Sequence, residues 1–417
     1  MKAVVDLREW IFQRINGSEG IAVPGPLVGP EDFERVYSHP AADGRSRGAA
    51  LSDLFWYWLA PGPHMHQEHL EPGEAYRTVA RTTRQVLAVP HPRSDELATA
   101  ATRRILDALP TGRTSHVRLR DLMMPIWAEV SYELVFGASC PREVRDLIVA
   151  NADDVVTALK GMSLRHMSRR DRVTRYLLDR IDAGTCPVVL PPPFTALETA
   201  WYLQGAFFNT AVVQMSEAMT HILLCARSVE DTSDDSLDRI IDETLRVYPL
   251  FGIAHRITSA PITVGNHALP TGSVLLFNYR AYQRTGPAAD DKFDPDRWLS
   301  LRRQDAHFIP YGVNANRACP ARGSAPVQLR AATREVLRRF SVASSAAHTR
   351  SLPSRGPAYL TPRGLAGPGR NRLALMRQRD RLFDVGRSVK QLVCGTWMVV
   401  DARRQKLCTR FFEEVGS

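Results

Sequence analysis

Between residues 243 and 340, four short patterns follow one another in one order, and that order restricts the fold more than any bulk property of the chain. The first is Glu243-Thr244-Leu245-Arg246, inside a helical stretch, Ser236 to Tyr248, that Pro249 ends. Glu and Arg three apart share a helix face and can pair. Alone, such a motif would read as a surface ion pair. The second is Phe293-Asp294-Pro295-Asp296-Arg297-Trp298, within a loop rich in Pro, Asp and Gly from Thr285 to Pro310. The third is Phe308-Ile309-Pro310-Tyr311-Gly312, leading to Arg317-Ala318-Cys319-Pro320. The fourth is a helix expected over Pro326 to Phe340, just after the cysteine.

A metal-bound cysteine must be a thiolate. A helix N-terminus lowers a thiol pKa through its unpaired N–H groups and partial positive charge. A cysteine on a small-residue loop before a helix therefore suits a metal-bound thiolate. The chain has six cysteines and no C-x-x-C pair, which argues against structural zinc. The other five read as buried apolar fillers.

On these residues the chain resembles the cytochrome P-450 superfamily, over about Val23 to Arg363. Glu243 and Arg246 match its E-x-x-R signature. Phe293, Pro295, Arg297 and Trp298 match its meander motif. The resemblance implies a structural triad of Glu243, Arg246 and Arg297. It also implies haem b, with Cys319 as axial ligand of the iron and Arg317 paired to a propionate. Arg256 sits where the family often places a second propionate-binding Arg. Arg77 and Arg81, one helical turn apart, resemble a further such pattern, with Tyr76 as a rival for the aromatic position and a solvated basic face as the plain alternative. The implied fold is mainly α with small β-sheets. A long central helix crosses the haem, and the cysteine-ligand loop precedes the last core helix.

That long helix is expected over Thr195 to Cys225. Ala206-Phe207-Phe208-Asn209-Thr210 aligns with the family's acid–alcohol pattern, which supplies protons for cleaving the O–O bond of dioxygen. Thr210 would be the alcohol. Asn209 replaces the acid, and an amide does not shuttle protons as a carboxylate does. Phe207 replaces a Gly, and Gln214 and Glu217 lie on the following turns. The ligand loop also departs from the pattern: Ala315 and Ala321 stand where Gly is usual, and the loop is one residue longer.

Other features set the context. Helices are expected at Pro30 to Tyr37, Glu74 to Ala88 and Leu122 to Phe136. Strands are expected at Ile262 to Val264, Ala268 to Pro270 and Ser273 to Phe277, and a hairpin at His348 to Pro362. Residues 364–417 read as a basic appendage of illegible role beside a haem domain of residues 1–363. The net charge is +10, with the arginines spread along the chain and no helix-turn-helix or zinc pattern, so no nucleic-acid partner is expected. Met1 to Asn16 carries Asp6, Arg8, Glu9 and Arg14 and lacks the apolar core of a signal peptide or anchor, so a cytoplasmic location without a membrane partner is expected. The resemblance implies a bacterial monooxygenase of specialised metabolism that acts on a small, mostly apolar metabolite, with a ferredoxin-type electron donor and its reductase. The rivals are an enzyme that uses peroxide or rearranges its substrate without external electrons, and a degenerate haem-binding or recruitment module.

Overall fold

The computed structural model describes residues 19–290, 292–345, 352 and 354–415. The reading of Met1 to Asn16 lies outside them, as does part of the hairpin expected from His348. The helices, in chain order, are α1 (Phe33–Tyr37), α2 (Ala50–Leu59), α3 (Glu74–Leu87), α4 (His91–Leu106), α5 (Leu119–Phe136), α6 (Arg142–Leu159), α7 (Met167–Asp182), α8 (Ala196–Gly205), α9 (Val212–Cys225), α10 (Asp234–Val247), α11 (Tyr279–Gln283), α12 (Ala325–Arg339), α13 (Arg370–Gln405) and α14 (Leu407–Val415).

The strands form small sheets at the edges of this helical body. β1 (Ile21–Val23) runs parallel to β6 (Val274–Asn278), which pairs antiparallel with β3 (Ile253–Ile257). β8 (Pro357–Pro362) lies between β2 (Ser115–Arg118) and β7 (Phe340–Ala343). β4 (Ile262–Val264) and β5 (His267–Leu269) make the expected two-stranded ribbon, whose turn holds Gly265 at φ 55°. The fold is mainly α with small sheets, as expected.

One apolar core joins α5, α8, α9, α10 and α12, with Trp127, Leu203, Ile222, Leu245 and Leu329 buried together. The long helix expected from Thr195 is present. Thr195 starts it with a capping box: its hydroxyl accepts from Glu198 N–H while the Glu198 carboxylate accepts from Thr195 N–H. Between α8 and α9 it continues without a break through a π-helical turn, Ala206–Ala211. Such a turn inserts one residue and is frequent at functional sites. The Phe208 carbonyl, inside the turn, accepts from Asn151 Nδ2 at 3.1 Å, and Gln204 Nε2 donates to Asn151 Oδ1 at 3.0 Å.

The triad is assembled. Arg246 donates twice to the buried Glu243 carboxylate, at 2.9 and 2.8 Å. Arg297 Nε donates to Glu243 Oε1 at 3.1 Å, as does the Asp294 backbone N–H at 2.9 Å. Arg246 also donates to the carbonyls of Ala288, Asp290 and Lys292. One buried cation thus ties the irregular loop to α10, which leads the chain on to the cysteine.

Residues 370–405 form one helix of 36 residues that straps the body. Met398, Val399 and Ala402 pack against Leu54, Tyr57 and Ala158. Tyr57 donates to Asp401 at 2.8 Å, and Arg165 to Gln405 at 2.9 Å. Lys406, at φ 47°, turns the chain into α14, whose first N–H groups reach the Asp53 carboxylate. Among the described residues no helix is long and apolar enough to cross a membrane.

Candidate active site

Cys319 lies at the wall of a cavity holding about 1490 Å³ of empty space, part of it continuous with solvent. The apolar lining includes Leu134, Phe207, Met215, Leu250, Phe251 and Leu329. The Cys319 N–H donates to the Tyr311 carbonyl at 2.8 Å, which closes the ligand loop. Gly312 takes φ 79° there, a left-handed backbone that favours Gly. Arg317 takes φ 54°, a left-handed backbone at a non-glycine residue. The loop thus closes by a bend at Arg317 itself, with Ala315 and Ala321 in place of the usual glycines. The helix expected just after the cysteine begins only at Ala325, after a short 3₁₀ turn at Pro320–Arg322. A long-helix dipole therefore does not bear directly on the thiol. Burial pushes its pKa up to about 11, with a backbone N–H at Ala321 working against that.

The half-buried Arg317 and the buried Arg256 and Arg45 test whether the site fits a haem. Arg317 lines the cavity, lies 3.5 Å over the Tyr76 ring and donates to the Leu70 carbonyl. Arg256 is buried, donates to Tyr37 Oη at 2.6 Å and leaves its Nε without a partner. Arg45, also buried, donates to Asn316 Oδ1 and leaves Nε and one terminal nitrogen without partners. None of the three has a carboxylate within ion-pair distance among the described residues. Buried charges without partners are costly. Cations beside a thiol-bearing apolar cavity suit the carboxylates of a porphyrin, and the residues fit the group.

Arg77 and Arg81 require correction. Both are on the solvent face of α3, and Arg77 is paired with Glu74. The same helix turns Tyr76 toward Arg317, and Thr83 and Leu87 toward the cavity. Asn209 is corrected too: it is buried, but it does not line the cavity. Thr210 does, with its hydroxyl 3.1 Å from His66 Nε2. Gln214 lines the cavity as well. Glu217 is taken up in ion pairs with Arg120 and Lys160. His66 and Glu68 also face the cavity and were not singled out in the sequence, where His64-Met65-His66-Gln67-Glu68-His69 was the available signal. His66 leans on Gly205, where a Cβ would come within 2.7 Å of the ring. Burial holds its pKa down to about 4, so the ring is neutral near pH 7.

Comparisons agree with this geometry. The sequence model of the family Cytochrome P450 matches residues 235–365. Pentalenene oxygenase of Streptomyces avermitilis is 44% identical over 85 residues, 19% of each chain. Cyclooctat-9-en-7-ol 5-monooxygenase of Streptomyces melanosporofaciens is 30% identical over 83 residues, 19% of this chain and 18% of that one. The aligned stretch thus spans about a fifth of these relatives. A six-coordinated cytochrome P450 from Thermus thermophilus superposes with a TM-score of 0.63 at 17% identity, covering 87% of this chain and 98% of that one.

The helical body, with its meander tied down by Glu243 and its cysteine loop at an apolar cavity, is similar in fold to solved cytochrome P450s. Residues 235–365, which hold Glu243, Arg246, Arg297 and Cys319, match the cytochrome P450 family.

Proposed function

We propose that this protein is a haem-thiolate monooxygenase that oxidises a compact, mostly apolar metabolite. The observation that carries this reading is one cavity that brings together Cys319, the Thr210 hydroxyl and a largely hydrocarbon lining, beside guanidinium groups that have no carboxylate partner among the described residues. Cys319 would be the axial ligand of haem b. Arg317, with Arg256 and Arg45 behind it, would hold the propionates. When bound, the haem supplies the activation of dioxygen and the transfer of one oxygen atom.

The chain's own part is orientation and proton supply. Phe207, Leu250 and Phe251 present apolar surface to a substrate and exclude water from it. Thr210, backed by His66, can hold and pass a proton at its hydroxyl. Relatives named for acting on pentalenene and cyclooctat-9-en-7-ol support a terpenoid-like substrate and a place in bacterial specialised metabolism. A ferredoxin-type donor with its reductase, in the cytoplasm, completes this reading.

One observation favours a second reading. The central helix turns no carboxylate into the cavity, and Phe207 occupies part of it. A peroxide-driven reaction needs no such acid. The test is purified protein with terpenoid hydrocarbons, supplied either with NAD(P)H, a ferredoxin and its reductase, or with hydrogen peroxide. Product formed only in the first arm supports the monooxygenase, and product formed only with peroxide supports the second reading. A correctly folded protein that retains no haem, or whose reduced carbon-monoxide spectrum lacks the thiolate signature, overturns both.

A further inference from the structure

The strap α13 is anchored by one face and leaves an apolar stripe on the other. Leu382, Val385, Val389, Val393, Trp397 and Val400 recur at helical spacing and are 43% to 75% exposed. At 1.5 Å per residue the stripe is about 27 Å long. The anchoring face is separate: Met376, Met398, Val399 and Ala402 are buried against the body. The stripe is thus surplus to folding. Scattered apolar residues on a surface need no explanation, but a continuous stripe of this length marks an interaction site.

Charge decides what covers it. The charged side chains that α13 turns outward, from Arg370 to Arg404, are all basic: Arg377, Arg379 and Arg381 flank one end, Lys390 the middle, and Arg403 and Arg404 the other end. The acidic residues of the helix are turned inward. Asp380 is bound to Arg387, as is Asp384, and Asp401 is bound to Tyr57. A second copy of the chain is therefore a poor partner. Antiparallel pairing about the middle of the stripe sets Arg379 against Arg403, and parallel pairing sets each basic end against itself. An anionic surface meets both the apolar row and the basic flanks.

We propose that α13 lies on an anionic lipid surface, with Leu382 to Val400 dipped into the headgroup–acyl boundary and the arginines and Lys390 among the lipid phosphates. A helix with an exposed apolar face that includes Trp, flanked by Lys and Arg, is built for the interface plane rather than for crossing it. The protein would then be peripheral, which replaces the sequence expectation of no membrane partner. The proposal stands apart from the haem chemistry: it adds a docking surface through which an apolar substrate dissolved in lipid comes near the enzyme.

The experiment uses the full-length protein, sedimented with vesicles of phosphatidylglycerol or of phosphatidylcholine. Binding to the anionic vesicles is expected, with at least about tenfold less to the zwitterionic ones and a further fall in high salt. The variant Val389→Glu/Val393→Glu should lose about tenfold or more of that binding, because it places charge in the apolar row. Arg403→Gln/Arg404→Gln should weaken it severalfold. Both pairs face solvent, so the circular dichroism spectrum and haem content should match the parent. No binding to anionic vesicles overturns the proposal, as does binding untouched by the two variants. A dimer in gel filtration that Val389→Glu/Val393→Glu splits also overturns it, in favour of a second copy.

Discussion

The Thr210 hydroxyl lies 3.1 Å from Nε2 of His66, where Thr210 faces the cavity that also holds Cys319. The two residues are 144 positions apart in the chain. The π-helical turn brings the hydroxyl to the cavity wall, and Gly205 leaves room for the ring. The alcohol is thus held by an imidazole rather than by a neighbouring acid on its own helix.

The first prediction follows from that pair. Thr210→Ala should leave haem content and substrate affinity close to the parent while NAD(P)H is still consumed. Product per NAD(P)H should fall, with hydrogen peroxide rising in its place. His66→Phe should act in the same direction but less strongly, because it removes one neutral hydrogen bond, worth about 1 kcal/mol or roughly fivefold in rate. Asn209→Asp should give no gain in coupling, since that side chain does not reach the cavity. Full coupling in Thr210→Ala would remove the hydroxyl from proton supply.

The second concerns the meander. Glu243→Ala strands Arg246 as a buried cation and also frees Arg297 and the Asp294 N–H. Breaking a buried pair from one side typically costs about 3–5 kcal/mol. Insoluble or haem-free protein is expected, with Glu243→Gln intermediate. Parent-like thermal unfolding and haem content in Glu243→Ala would show that the triad does not hold the meander.

How far the sequence could be read depends on how local each signal is. Glu243 with Arg246, and Arg297 within its Pro-flanked motif, are legible because each motif fixes its own geometry. Cys319 is legible because its loop has a particular order of Pro, Gly and Arg. The arginines of α3 are different. Positions 77, 81 and 84 all carry Arg, and nothing local says which face of the helix turns inward. Asn209 is not legible because it lies inside the π turn, whose altered spacing changes which side chains face the cavity and has no local sequence signal. Helix α13 is not legible because its apolar residues split between a buried face and an exposed one, which blurs the one-sided period that marks an amphipathic helix.

A third prediction separates haem binding from folding. Arg317 is a half-buried cation with no carboxylate in ion-pair range among the described residues, and desolvation presses its pKa down. Replacing such a charge with an apolar residue is commonly neutral or stabilising for the bare fold. Arg317→Leu should therefore keep or raise the unfolding temperature of the apoprotein. Haem transfer to a globin acceptor should accelerate by about tenfold or more, the worth of a charge-assisted hydrogen bond. Arg317→Lys should fall between the two. A drop in apoprotein stability with unchanged haem transfer would make Arg317 a purely structural residue.

The fourth concerns acid. His66, His69 and His255 form a buried cluster, with His69 about 6 Å from each of the other rings. Burial holds the pKa of His66 and of His255 down to about 4, and that of His69 well below its ordinary value. His255 Nε2 lies 2.6 Å from the Arg45 carbonyl, and its ring stacks on Phe55. In the unfolded chain these rings titrate near pH 6.5. Between about pH 4 and 6.5 the unfolded state therefore binds more protons than the folded one, and stability must rise with pH across that window. Above it the three rings add no further pH dependence. Each can contribute up to about 1.4 kcal/mol per pH unit inside the window. The denaturant midpoint should hold from pH 8 to 7, then fall steadily from pH 6.5 to 5. His255→Phe, which removes one titrating ring and keeps the stacking on Phe55, should lower stability at pH 7.5 by losing the bond to Arg45, yet make the acid limb shallower. An acid limb of the same slope in His255→Phe would mean that this ring is already protonated in the folded protein.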